Sequence, residues 1–251
     1  MSSEPARALR RERRAATLAQ RRDGRRRPAR EPRRIGIGLV SVIALGAGLL
    51  LIAALSILGG KATPAGIAVV TAAAPAGIPS TGRVLGSATA PVTVDLYEDF
   101  QCPACERWGQ NVFPSLARNE LADGTVRIAY HGFAFIGPES KDAGRAAWAA
   151  DQQGRFWDMW ATLYANQGLH ENGGAFARDR LIAMAAALGL DADRFVADLD
   201  SPAAAAFVRD GIADAARAGV TSTPTLLING TAFTGAGYTE LAAAVGAAAA
   251  P

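Results

Sequence analysis

Residues 92–100, Val-Thr-Val-Asp-Leu-Tyr-Glu-Asp-Phe, run with one intervening glutamine into Cys102-Pro-Ala-Cys105. The stretch is β-rich and alternates, as a strand does. Pro103 suits the first turn of a helix, where its missing N–H costs nothing. The following Ala-Cys-Glu-Arg-Trp-Gly-Gln-Asn-Val-Phe-Pro-Ser-Leu-Ala-Arg-Asn, residues 104–119, carries that helix on. The chain is therefore committed to a strand-to-helix junction with a cysteine at the helix start. Cys102 and Cys105 are the only cysteines in 251 residues.

A lone C-x-x-C leaves three readings. A structural disulfide would close a very short loop, which removes little chain entropy and stabilises weakly. Zinc needs four ligands, normally two such pairs or one pair with two close histidines. The only histidines are His131 and His170, far apart in sequence. Redox chemistry has positive support. The unpaired N–H groups and the macrodipole at a helix N-terminus favour an anion, so the Cys102 thiolate is stabilised. Cys105, one turn on, would be the resolving thiol.

Composition bears on where this chemistry would run. Residues 35–58 form a 24-residue run with no charge, Ser41 and Ser56 being its only hydroxyls. About 20 apolar residues suffice to span a bilayer as a helix. A cleaved signal peptide is the alternative: its apolar region is shorter, about 7–15 residues, but Thr-Ala-Ala-Ala-Pro-Ala at 71–76 offers a cleavage site. Residues 1–34 hold 13 Arg against 4 acids, a net of +9. The whole chain is only +3, so the remainder carries −6. Positive flanks stay cytoplasmic. The expectation is a single-pass cell-membrane protein with a disordered basic cytoplasmic tail (1–34), a transmembrane helix (35–58), a Gly/Ala/Pro linker (59–82) and an extracytoplasmic domain (83–251). The basic pI belongs to the tail, and no nucleic-acid partner is inferred from it. In an oxidising compartment paired thiols become disulfides.

Further along, Thr-Val-Arg-Ile-Ala-Tyr-His-Gly-Phe-Ala-Phe-Ile (125–136) reads as a second strand, followed by helical segments over about 139–218. Thr-Pro-Thr-Leu-Leu-Ile-Asn-Gly (223–230) is a strand ending in an Asn-Gly turn, with 231–236 as its hairpin partner. A helix closes the chain. The aromatics Trp148, Phe156, Trp157, Trp160 and Tyr164 read as core of the helical block. Phe100 and Trp108 either line a groove or simply pack. His131 reads as a partly buried, satisfied histidine.

The segments 92–105, 154–167 and 219–236, taken together and in this order, resemble the DsbA-like thiol-disulfide oxidoreductases of the thioredoxin superfamily, in their membrane-anchored form. The resemblance covers roughly 84–249. It implies an α/β thioredoxin fold with an inserted α-helical domain, and Cys102 and Cys105 as a redox-active disulfide. It implies that Pro224 is cis and faces the pair, with Thr223 presenting its backbone to an extended substrate. By the same resemblance, the substrates would be reduced exported proteins. The reoxidase would be a quinone-linked membrane protein of the DsbB or vitamin K epoxide reductase type, and no organic cofactor or metal is needed. A reductase, an isomerase and a non-enzymatic thioredoxin-fold binding module are the rivals. Two departures stand out. Ala104 replaces the histidine that DsbA carries between its cysteines, and Leu96 stands where relatives carry a buried acid. Glu98, two residues on and on the same strand face, is the candidate to take over as proton shuttle to Cys105. The alternative is that Glu98, Asp95 and Asp99 are solvated.

Overall fold

The computed structural model describes residues 66–70 and 77–250. The expected basic tail and transmembrane helix lie outside the described residues, among which no helix is long and apolar enough to cross a membrane.

Strand β3 (Val92–Glu98) is the centre of the molecule. Its even positions Val92, Val94 and Leu96 are fully buried while Thr93 and Asp95 are only partly so, the alternation of a strand with one face on the core. It pairs in parallel with β4 (Val126–Gly132) and antiparallel with β5 (Thr225–Ile228). Beyond β4 lies β2 (Val84–Gly86), then β1 (Ser80–Thr81) at one edge. Beyond β5, the Asn229-Gly230 turn, with φ of 47° and 82°, leads into β6 (Thr231–Phe233) at the other edge. Both turn residues take positive φ, as a two-residue hairpin demands. The order is β1-β2-β4-β3-β5-β6.

The helix expected over 104–119 is broken. Helix α1 (Pro103–Asn111) stops before Val112, α2 spans Phe113–Leu116, and a π-helical turn covers Ala117–Leu121. Pro114 has no N–H for the Gln110 carbonyl, and its ring crowds that turn. Between β4 and β5 stand five helices: α3 (Pro138–Asp151), α4 (Phe156–Ala165), α5 (Arg178–Ala187), α6 (Ala192–Leu199) and α7 (Pro202–Arg217). Helix α8 (Tyr238–Ala249) closes the described chain. Helix α7 lies so near β4 that a Cβ at Gly211 would overlap the Gly132 carbonyl oxygen.

Helix α4 is hydrophobic nearly all round, with Phe156, Trp157, Met159, Trp160, Leu163 and Tyr164 buried. One reason lies in the segment expected to be a free linker. Residues 66–70 are docked along α4 as a strap. The Asn166 side chain accepts from the Ala68 N–H at 2.9 Å and donates to the Ala68 carbonyl at 2.6 Å. Thr162 meets the N–H and C=O of Val70, both at 3.4 Å. Ile67 is buried in the core, with Val69 packed against it.

Candidate active site

The β3–α1 junction places both sulfurs. Cys102 is the N-cap of α1 in extended conformation (φ −75°, ψ 117°), and Cys105 lies in the first helical turn. Both are free thiols here, with Cys102 7% exposed and Cys105 fully buried. The Thr223–Pro224 bond is cis, and the Thr223 carbonyl accepts from the Cys102 thiol at 3.3 Å. Two segments 121 positions apart in sequence thus meet at one sulfur.

The two cysteines differ in acidity. Cys102 is pulled down to about 5, first by the hydrogen bond from the Cys105 thiol, against the opposing effect of burial. The Thr223 side chain and the Ala104 and Cys105 backbone N–H groups pull the same way. The Thr223 hydroxyl is buried and has no other partner among the described residues. Burial pushes Cys105 far up, reinforced by the bond it donates to Cys102 and by the Glu98 charge. At neutral pH this is one thiolate and one thiol. A thiolate is the nucleophile, and a stabilised one is also a ready leaving group.

Glu98 is not solvated. It is fully buried, takes one hydrogen bond from the Trp160 indole N–H at 2.8 Å, and leaves Oε1 without a partner among the described residues. Burial pushes its carboxyl up to about 8, outweighing the opposing pull of the Trp160 indole and the Tyr164 hydroxyl. A neutral carboxyl beside a thiol of very high pKa can hold or release a proton within the physiological range.

Asp99 is not solvated either. Its carboxylate accepts from the N–H groups of Gln101 (2.8 Å), Phe135 (2.9 Å) and Ile136 (3.0 Å), bolting the loop after β4 to the cysteine junction. Asp95 binds His131 Nε2 at 3.0 Å, while His131 Nδ1 meets Asp214 at 2.8 Å. This group belongs to the opposite sheet face from Glu98 and is separate from the site. Phe100 is buried against Tyr130 and Tyr164, whereas Trp108 lines a groove of about 380 Å³ with Pro224 and Phe233.

Several residues that hold the site were legible only as helix or loop. Gln167, just after α4, donates to the carbonyls of Phe100 (2.7 Å) and Cys102 (3.1 Å). Gln101 donates to Ser140 at 2.9 Å and to Asn172 at 3.2 Å. Trp160 acts as core and as donor at once. No local pattern marks such bonds, since Trp160 and Glu98 are 62 positions apart.

A parallel–antiparallel sheet with a helical insertion, a dithiol at a helix N-terminus and a cis-proline opposite it coincide with a profile match to Thioredoxin over residues 79–247. The chain belongs to the thioredoxin family. Its fold is DsbA-like: BdbD from Bacillus subtilis (oxidised) superposes with a TM-score of 0.63 at 24% identity, covering 70% of this chain and 98% of that one. Among curated relatives, the probable disulfide bond formation protein D of Bacillus cereus is 38% identical over 91 residues, 35% of this chain and 42% of that protein. The Na(+)/H(+) antiporter NhaA of Herminiimonas arsenicoxydans is 32% identical over 154 residues, 61% of this chain and 23% of that protein. The chain thus spans less than half the length of these relatives.

Proposed function

We propose that this protein is an extracytoplasmic thiol-disulfide oxidoreductase that oxidises the thiols of exported proteins. The observation that carries the reading is the split between the sulfurs, with Cys102 near 5 and Cys105 far above its usual value. A stabilised Cys102 thiolate favours the reduced protein, which makes the disulfide an oxidant.

The cycle begins with the Cys102–Cys105 disulfide. A substrate thiolate attacks Cys102 Sγ, forming a mixed disulfide and expelling the Cys105 thiolate. Glu98, neutral at this point, gives that thiolate its proton. A second substrate thiolate attacks the substrate sulfur of the mixed disulfide and releases the Cys102 thiolate. The substrate leaves as a disulfide and the protein as a dithiol, so two electrons have passed. Pro224 and Thr223 bound the face on which the substrate chain lies. Reoxidation falls to a quinone-linked membrane partner of the DsbB or vitamin K epoxide reductase type, and residues 35–58 anchor the chain in the same membrane.

The test is a redox titration of the full chain against glutathione buffers. A potential near the DsbA end, about −120 mV, is expected, against about −270 mV for thioredoxin. A value at the thioredoxin end would overturn the oxidase in favour of a reductase. A pair that never exchanges would overturn both and leave a static bridge.

A further inference from the structure

The groove beside the cysteine pair runs between α1, the β5–β6 hairpin and the turn into α8. Trp108, Val112, Pro224, Leu226 and Phe233 supply its apolar surface, and polar atoms make up about as much of the wall. Arg107 is the one charged side chain in its wall, and Asn111 the only other polar one. Arg107 is exposed and forms no ion pair among the described residues. The acids that could neutralise it are engaged elsewhere. Glu106, its sequence neighbour, accepts from Gln110 at 2.9 Å. Glu240 accepts from the Ala236 and Gly237 N–H groups at 2.7 and 3.0 Å, within the groove wall itself. A cation with no ion-pair partner among the described residues therefore lines the groove, in a chain whose residues after 34 carry a net −6 against the +9 of residues 1–34 and the total of +3.

Position decides what it would meet. Arg107 lies five residues after Cys102 on α1, about 7.5 Å of helical rise. An extended peptide advances about 3.3 Å per residue. With a substrate cysteine at Cys102, a side chain two or three residues away reaches the guanidinium. A guanidinium pairs with a carboxylate through two parallel hydrogen bonds, an arrangement no neutral side chain reproduces. We propose that Arg107 selects extended polypeptide substrates carrying an Asp or Glu two or three residues from the reacting cysteine. The selectivity rests on the oxidoreductase reading above and adds to it a substrate class.

The test uses the full chain in its disulfide form and a set of dithiol peptides. Each peptide carries Asp, Asn or Lys at one position within three residues of the reacting cysteine. The rate at which each reduces the protein is measured for wild type, Arg107→Gln and Arg107→Glu. The expected wild-type preference for Asp over Asn is about fivefold at the favoured position, the size of one partly exposed ion pair. It should shrink as salt rises. Arg107→Gln should abolish the preference and Arg107→Glu should turn it toward Lys. Taking the Asp/Asn ratio in wild type against that in Arg107→Gln cancels the effect of the acid on the peptide thiol itself. Equal Asp and Asn rates in wild type, or a preference that survives Arg107→Gln, overturns the proposal while leaving the oxidoreductase reading intact. A disulfide that no peptide reduces overturns that reading, and this selectivity with it.

Discussion

Two acidic clusters hang from β3 on opposite faces, and they are built in opposite ways. On one face Glu98 is fully buried, with a single donor at Trp160 and an idle Oε1. On the other, Asp95 and Asp214 grip His131 between them, with Tyr97 stacked on the ring at 4.5 Å and donating to Asp214 at 3.2 Å. Burial without enough partners drives Glu98 up to about 8. At Asp214 burial pulls the same way, but bonds from His131, Tyr97 and Arg217 outweigh it and hold the carboxyl below its usual range. One acid is left able to exchange a proton at neutral pH, and the other is fixed as an anion that ties α7 to the sheet. Deep burial with few partners makes a proton carrier, and a half-exposed site with several donors makes a bolt.

The sharpest way to break this contrast is to remove each acid's charge. Glu98→Gln should slow thiol-disulfide exchange by roughly 10²–10⁴-fold, the usual worth of general acid–base help, and flatten the rate's dependence on pH near 8. Stopped-flow tryptophan fluorescence reads both. Asp214→Asn should leave that rate within about twofold, since exposed charge pairs couple weakly to distant groups. An unchanged rate in Glu98→Gln would end the shuttle role.

Stability should respond to pH with opposite signs on the two faces. The folded protein keeps the Glu98 proton that the unfolded chain releases, because the value rises from 4.5 to about 8. Its contribution is present below 4.5 and is lost as pH rises through about 8. The whole swing is at most about 5 kcal/mol. Urea denaturation of the disulfide form reads it cleanly, because the depressed Cys102 value adds an opposing slope in the dithiol form. In Glu98→Gln the fall should vanish.

The redox potential sharpens the same face further. Below about 5 the reduction takes up two protons, and above it Cys102 stays a thiolate and only one is taken up. The potential should then fall by about 30 mV per pH unit above that point, half the slope below it. A full slope persisting to neutral pH would deny the stabilised thiolate.

The smallest effect belongs to the bolt. Asp214 is held low, so its stabilisation is present above the unfolded value and lost as pH falls through the folded one. Its side chain is 35% exposed, so Asp214→Asn should cost under about 1 kcal/mol, and less in high salt. Thermal melts at low and high salt would show it.

Much of this was legible in the sequence. The Val92–Glu98 alternation, Pro103 at a helix start, and Thr-Pro-Thr before Asn-Gly each follow from local backbone chemistry. They located Cys102 and Cys105 at a strand-to-helix junction, whereas the place of Pro224 opposite them came only from the family resemblance. What was illegible is what local chemistry does not encode. Strand alternation singled out Glu98 but left solvation of Glu98, Asp95 and Asp99 open; the structure buries the first, bonds the second to His131 and spends the third on loop N–H groups. Those fates depend on Trp160, His131 and Phe135, which arrive from other elements. The break at Val112 follows from Pro114, whose effect is masked in the sequence by the helix-favouring residues around it. Strands β1 and β2 are only two and three residues long, too short for any periodicity to show.

The strap at 66–70 has a mechanical consequence. A pull arriving along the chain from before residue 66 meets Ile67 in its socket and the Asn166 and Thr162 side chains first. It would have to strip those before any load reached β1, β2 or the helix that bears the cysteines. The segment works as a strain relief does on a cable, letting the thioredoxin-fold domain be tugged without the pull being transmitted to the sulfur geometry.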